Sequence, residues 1–304
     1  MNAVEHKRMI QPEHCQRLPE FRESELSRPV RRRPGFTLIE LLVVISVIGV
    51  LVSLLLPAVQ SVRESARRTQ CQDHLHNLAV GLINYESTHK TLPPGSMQQG
   101  AIYPQRSGWG WGAMTLPFLE QKPLYDLIIF EQENTVGTNL GLLSTPLAIW
   151  RCPSSPSPEQ ILAQTPGQVN VLLATGNYPG NGAVLSAVSS TRWGDITDGA
   201  SNTILVGENQ FQEGVFGLES YTSSWIGIIS FPDEYGPNSI PHLGISELTR
   251  INKGSGFAGA FGSQHPGGAQ FAFGDGSVTF LSENMSMETY IAMGTHNGGE
   301  TFSR

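Results

Sequence analysis

Residues 36–56 read FTLIELLVVISVIGVLVSLLL, and 16 of these 21 residues are apolar, with Glu40 as the one charge. About 20 apolar residues are enough for a helix to cross the hydrocarbon core of a bilayer. Residues 1–35 carry 8 Lys/Arg against 5 Asp/Glu and end in a run of three arginines at 31–33. The positive-inside rule therefore predicts a single membrane span with a cytoplasmic N terminus and an extracytoplasmic body.

Two soluble classes of segment compete with a membrane span for this apolar block. A buried core helix is usually shorter than an uninterrupted block of this length. A removable secretory signal has a shorter apolar core followed by a small-residue cleavage site. No A-x-A sequence follows the block, which instead runs into Pro57 and an amphipathic stretch. Both alternatives are therefore disfavoured.

The remaining composition excludes several classes of protein. The 304 residues carry a net charge of −7, and 36–304 alone carry −10, from 11 bases and 21 acids. An acidic body argues against binding nucleic acid, which needs a basic surface. With 33 Gly, 20 Pro and only 15% charged residues, the chain is neither a long helical bundle nor a coiled coil.

The pattern after the apolar block predicts an α+β fold. At 60–90, apolar residues recur at three- and four-residue steps, which indicates an amphipathic second half of the N-terminal helix. At 91–304, frequent Gly and Pro favour short strands and loops, and so a β-rich, loop-heavy head. We predict strands at 183–187, 203–206 and 224–230, a hairpin of 269–273 with 277–281, and a final helix at 286–293.

Glu40 is the anomaly of the apolar block. A carboxylate inside a membrane segment costs several kcal/mol unless it is paired. Glu40 lies one turn into the block, so an α-amine freed at Phe36 is close enough to pair with it, in the same chain or in a neighbouring subunit.

The segment RPGFTLIE at 33–40 resembles the class III signal of type IV pilins and type II secretion pseudopilins. The resemblance implies that prepilin peptidase cuts between Gly35 and Phe36 and that Phe36 becomes N-methylated. It also implies that Glu40 contacts the N terminus of an adjacent subunit during assembly. Pro57 stands where pilins often carry a helix-bending proline, which removes one backbone hydrogen bond.

Five further segments resemble the DUF1559 family, which is abundant in planctomycetes and is described as pilin- or pseudopilin-like without an established activity. They are CQDHLHNLAVGLINYESTHKTLPPG at 71–95, RCPSS at 151–155, NYPGN at 177–181, ITDGASNTILVGE at 196–208, and HPGG at 265–268 followed by DG at 275–276. The last element makes His265, Asp275 and Gly276 the residues of the family's terminal motif.

Cys71 and Cys152 are the two cysteines of the predicted body, and Cys15 lies in the leader. An extracytoplasmic location makes a Cys71–Cys152 disulfide a candidate, and two buried thiols are the open alternative. The spacing of the three cysteines matches no zinc motif and no CxxC motif.

Two further groups of side chains are candidates for a catalytic pair and for a Ca²⁺ site. His265 and Asp275 suggest a base and its orienter, or alternatively two residues that stabilise turns. Asp198, Ser201 and Asn202 offer oxygen ligands for Ca²⁺, although they fail the EF-hand pattern and also suit an Asx-turn.

Two aromatic and three histidine positions complete the candidates. Trp109 and Trp111 suggest an aromatic recognition surface or core packing. His74 and His76 point to different faces of a helix, and His89 is distant, so a shared metal is not expected. No hydrolase, metalloprotease or nucleotide-binding motif is present, so we expect neither an enzyme, nor a metal centre, nor a cofactor.

These observations predict four segments: a leader at 1–35 that is removed, a transmembrane half-helix at 36–59, an amphipathic half at 60–90 and the head at 91–304. The expected function is a pilin-like subunit of a type II secretion pseudopilus or type IV pilus-like filament. Its expected partners are prepilin peptidase, other pilin-like subunits or copies of itself, and the lipid bilayer. The resemblance places it in the inner membrane, and then in a periplasmic or cell-surface filament. The alternatives are a membrane-anchored binding protein that uses the signal only for export, and a hydrolase.

Overall fold

A computed structural model describes residues 35–97, 108–164, 170–186, 191–210, 212–213, 220–221, 223–228, 230–231, 238–239, 243–244, 250–253 and 260–299. The predicted leader, apart from Gly35, lies outside the described residues. The chain divides after Leu55 into an N-terminal unit and a larger C-terminal unit.

In its described part, the N-terminal unit contains the start of helix α1, which spans Leu38–His89 and continues into the C-terminal unit. Apolar side chains from Phe36 to Val59 are exposed to a large extent. Among the described residues, α1 is the one helix long and apolar enough to cross a membrane. The helix continues through Pro57 as a single element. The bend expected at this proline stays a prediction.

The other helices in the described ranges are short. They are α2 (Trp111–Thr115), α3 (Lys122–Tyr125), α4 (Asn139–Leu142) and α5 (Met287–Gly294), with 3₁₀ turns at Leu116–Leu119, Ala148–Trp150 and Trp193–Asp195.

Thirteen strands lie in the described part of the C-terminal unit. They are β1 (Gly108–Trp109), β2 (Gln160–Gln164), β3 (Asn170–Ala174), β4 (Gly180–Asn181), β5 (Ile204–Gly207), β6 (Gln212–Glu213), β7 (Ser220–Tyr221), β8 (Gly227–Ile228), β9 (Ser230–Phe231), β10 (Asn238–Ser239), β11 (Leu243–Gly244), β12 (Gly268–Phe273) and β13 (Val278–Ser282). The main sheet has the order β11-β4-β5-β12-β13. Its pairs are antiparallel except β11 with β4.

The second half of α1 packs into the core of the C-terminal unit. Cys71, Leu75, Leu78 and Leu82 are fully buried, and their three- and four-residue steps place them on one face. The same core contains Trp109, Trp111, Trp150 and Trp225, and a smaller core lies around Phe271 and Tyr290. The α+β, pilin-like fold predicted from the sequence is confirmed: a long N-terminal helix packs against mainly antiparallel sheets.

Several element predictions are confirmed. The hairpin forms between β12 and β13, and the strand predicted at 203–206 is β5. The final helix is α5, with Ser286 as its N-cap, whose side chain accepts a hydrogen bond from the backbone N–H of Thr289.

Two strand predictions are wrong. At 183–185 the chain forms a turn, because Asn181 accepts hydrogen bonds from the backbone N–H groups of Ala183, Val184 and Leu185; residue 187 lies outside the described residues. Of the strand predicted at 224–230, the described residues are 224–228 and 230, and among them Gly227–Ile228 and Ser230 are strand. The Ser224 hydroxyl accepts a hydrogen bond from the N–H of Ile226, which favours a bend there.

Candidate functional site

The predicted processing site lies at the start of α1. Gly35, Phe36 and Thr37 are non-helical and exposed. A Cβ added at Gly35 would meet no atom within 4 Å. The bond between Gly35 and Phe36 is therefore in an accessible segment, as a peptidase substrate requires.

Thr37 and Glu40 form a capping box. The backbone N–H and hydroxyl of Thr37 donate to Glu40 Oε2 at 2.9 and 2.8 Å, and the N–H of Glu40 donates to the Thr37 hydroxyl at 3.3 Å. Such a reciprocal pair satisfies backbone donors that a helix start leaves free. The T-x-x-E spacing at 37–40 carries this signal, and the sequence reasoning missed it.

A second candidate site lies inside the C-terminal unit, where four buried side chains converge. They are Cys71, Cys152, Glu208 and His265, and one donor atom from each lies within 4.8 Å of all the others. Cys71 is on α1, and Cys152 follows the 3₁₀ turn Ala148–Trp150. We refer to these four residues as the buried cluster.

Strand pairing brings Glu208 and His265 together. Glu208 directly follows β5, and His265 lies just before β12. Because β5 and β12 are antiparallel, the end of β5 lies beside the start of β12. The backbone N–H of Gln270 in β12 donates to Glu208 Oε2 at 2.7 Å, which fixes that carboxylate.

His265 is at the centre of the buried cluster. Its Nε2 lies 3.5 Å from Cys152 Sγ and 3.3 Å from Glu208 Oε1. Its Nδ1 lies 2.5 Å from Oε1 of Glu64 on α1. Glu64 in turn pairs with Arg67 at 2.5 Å. The ring is therefore held on both of its nitrogens.

The pKa values of His265, Cys152 and Cys71 in the buried cluster are shifted. Burial lowers the pKa of His265, but the contacts with Cys152, Glu208 and Glu64 outweigh burial and raise it to about 10. The hydrogen bond with Cys71 lowers the pKa of Cys152 to about 6. Burial acts in the opposite direction, and the contact with His265 lowers this pKa further. Because Cys71 donates this hydrogen bond to Cys152 and is buried, the pKa of Cys71 is raised. Cys152 is therefore the sulfur that ionises first.

Cys71 and Cys152 are free thiols in the structure, and both are buried. Their sulfur atoms are within 4.8 Å of each other. The disulfide proposed from the sequence stays a prediction.

The structure does not bring His265 and Asp275 together. They lie at opposite ends of β12, whose six residues span about 20 Å. Asp275 forms the hairpin turn by accepting hydrogen bonds from the N–H and hydroxyl of Ser277. Gly276 follows with φ +81°, a conformation that favours glycine. The base-and-orienter hypothesis is therefore wrong for this pair.

The other histidines have separate partners. Nδ1 of His74 lies 3.1 Å from the carbonyl oxygen of Arg151, and Nδ1 of His76 lies 2.8 Å from that of Gly276. His89 stacks on Tyr85. Each of the three rings therefore contacts a different group.

Trp109 and Trp111 are each 1% exposed. Trp109 stacks with Trp225, and Trp111 packs against Trp150. The interpretation of Trp109 and Trp111 as core residues is confirmed, and the interpretation as an exposed recognition surface is wrong.

The candidate Ca²⁺ loop has a structural role. The carboxylate of Asp198, which is buried, accepts the backbone N–H groups of Gly298 at 3.0 Å and Gly299 at 2.6 Å. Asn202 uses its amide nitrogen to donate to the Asp198 carbonyl oxygen. These hydrogen bonds explain the buried carboxylate without an ion.

We expect Asp198→Asn to lower the free energy of unfolding by about 1.5–3 kcal/mol, because an amide nitrogen cannot accept from a backbone N–H. Denaturant unfolding of the full chain in detergent measures this change. Asp126→Asn is the matched control, since Asp126 forms an exposed pair with Lys122 and we expect a change within about 0.5 kcal/mol. Stabilisation of the wild-type chain by added Ca²⁺ would contradict this account.

Comparisons with known proteins match two parts of the chain to family models. None of the curated proteins and none of the solved structures is significantly similar to it. A family model described as a prokaryotic N-terminal methylation motif matches residues 30–56. This motif implies processing by prepilin peptidase. Together with the apolar helix, it suggests single-pass membrane anchoring with an extracytoplasmic head.

A second family model, described as a protein of unknown function (DUF1559), matches residues 60–288. This match covers more than half of the chain and includes all four residues of the buried cluster. The chain therefore belongs to the DUF1559 family and carries an N-terminal prepilin-type methylation motif.

Proposed function

We propose that the chain is a structural pilin-like subunit that assembles through α1 into a type II secretion pseudopilus or type IV pilus-like filament. Prepilin peptidase releases the leader after Gly35, and Phe36 becomes the N-methylated first residue. The exposed apolar part of α1 then packs laterally against the helices of neighbouring subunits. The head decorates the outside of the filament and has no catalytic role.

The observation that carries this proposal is the placement of Glu40. It is the one acidic residue in the exposed apolar block 36–56, where a charge is costly in lipid. Both Thr37 donors reach Oε2 of Glu40, so Oε1 is available to a cation from another chain. The ammonium group of a neighbour's Phe36 supplies that cation. A membrane anchor used only for export has no need for such a group.

We expect Gly35→Val to block processing, so that the chain accumulates in the membrane as precursor and is missing from sheared filaments. A side chain at Gly35 meets no other atom within 4 Å, so the loss does not arise from misfolding. Immunoblots of the membrane and sheared fractions measure both effects. Gly49→Val is the matched control, because Gly49 also has open space around it. Normal processing of Gly35→Val would contradict cleavage at this bond.

A further inference from the structure

Two distances between donor atoms of the buried cluster match those around a tetrahedral metal ion. Around a tetrahedral zinc ion, a sulfur and a nitrogen ligand lie about 3.5 Å apart, and a nitrogen and an oxygen ligand about 3.4 Å apart. The corresponding distances are 3.5 Å from Cys152 Sγ to His265 Nε2 and 3.3 Å from His265 Nε2 to Glu208 Oε1. The most distant pair is within 4.8 Å, so a shift of about 1 Å closes the set.

Glu208 provides an independent observation. Its side chain is 1% exposed, and no donor among the described residues forms a hydrogen bond with Oε1. Its contact with His265 Nε2, at 3.3 Å, is an ion pair and not a hydrogen bond. A buried carboxylate oxygen without a donor is costly. Both residues also have a ligand atom within 4.8 Å of the two sulfur atoms.

The groups behind the cluster resemble the surroundings of a metal site. Metal-binding histidines usually donate their second ring N–H to a carboxylate, and Glu64 lies 2.5 Å from His265 Nδ1 in that position. Gln270 fixes the other oxygen of Glu208. Asn177 Oδ1 accepts the backbone N–H of Cys152 at 3.0 Å, which fixes the backbone beside the sulfur.

We propose that Cys71, Cys152, Glu208 and His265 bind one Zn²⁺ ion in a closed tetrahedral site. Thiolate and imidazole ligands suit Zn²⁺, whereas Ca²⁺ and Mg²⁺ need oxygen ligands. Two thiolates, one carboxylate and neutral His265 leave a charge of −1 around Zn²⁺, and Arg67 offsets the charge of Glu64. With four protein ligands, the site is structural.

This inference goes beyond the proposed filament function and changes two expectations from the sequence. No metal was expected, because the cysteine spacing matches no zinc motif; here the ligands come from four distant segments. The metal also replaces the Cys71–Cys152 disulfide. A disulfide occupies both sulfurs and leaves the orphan oxygen of Glu208 unexplained, whereas one cation satisfies all four groups.

The test is the metal content and thiol state of the full chain, purified from membranes in detergent without chelators. We expect plasma mass spectrometry to find about one zinc ion per chain, because the four ligands form one closed site. Peptide mapping should find no disulfide between Cys71 and Cys152. Both thiols should react with an alkylating reagent only after chelation and denaturation. X-ray absorption should find two sulfur neighbours. The proposal would be overturned if the purified chain contained a Cys71–Cys152 disulfide and no bound zinc, whatever the result for filament assembly.

Variants locate the ion. Glu208→Gln and Cys152→Ser should each lower the zinc content at least tenfold, whereas His76→Gln should retain it. His76 is the matched control, because it lies on the same helix as Cys71 but contacts Gly276 outside the cluster. Full zinc content in both cluster variants would also overturn the proposal. If a variant fails to fold, X-ray absorption of the wild-type chain still decides the ligand set.

Discussion

Glu40→Gln is expected to remove the chain from the filament while its membrane insertion and processing stay intact. Glutamine keeps the acceptor oxygen that caps Thr37, so the start of α1 is preserved. The substitution removes only the charge that a neighbour's Phe36 ammonium is proposed to meet. We therefore expect at least a tenfold loss of the chain from sheared filaments, a coupling of about 1.4 kcal/mol or more between subunits.

The control for this experiment is Thr37→Ala, which removes the cap and keeps the carboxylate. A role of Glu40 in assembly predicts that Thr37→Ala retains most incorporation and Glu40→Gln loses it. A role as a helix cap predicts the reverse order. Normal incorporation of Glu40→Gln would show that the charge is dispensable and would favour a membrane anchor that does not assemble.

The second large effect is expected at the core face of α1. Leu78 is fully buried in the main core of the C-terminal unit. Truncation to alanine removes buried apolar surface and leaves a cavity, so we expect Leu78→Ala to lower the free energy of unfolding by about 2–5 kcal/mol. Denaturant unfolding followed by tryptophan fluorescence measures this loss, since Trp109 and Trp225 lie in the same core.

Leu162→Ala is the matched control, because Leu162 on β2 is 61% exposed. We expect this substitution to change the free energy of unfolding by about 0.5 kcal/mol or less. Equal effects of the two substitutions would mean that the packing of α1 on the head does not hold the C-terminal unit together.

Periodicity predicted much of the fold. The recurrence of Leu75, Leu78 and Leu82 identifies the buried face of α1, because a helix places every third or fourth residue on one side. The Gly274-Asp275-Gly276 turn identifies the β12–β13 hairpin in the same local way. These features depend on short stretches of sequence, so no tertiary contact has to be known in advance.

The buried cluster could not be predicted from the sequence, because Cys71, Cys152, Glu208 and His265 are separated by 56 or more residues. The pairing of β5 with β12, the packing of α1 and the hydrogen bond from the Cys152 backbone to Asn177 bring them within 4.8 Å. The turn at 183–185 was also missed, because Asn181 accepts three backbone hydrogen bonds that compete with strand formation.

The central claim is that a prepilin-type cut makes Phe36 the first residue of the chain, two residues before α1 begins. Intact mass and N-terminal sequencing of the chain purified from membranes test it most directly. The account predicts a polypeptide that begins at Phe36 with one added methyl group on its α-amine. A membrane form that retains the residues before Phe36 and carries no methyl group there would contradict it.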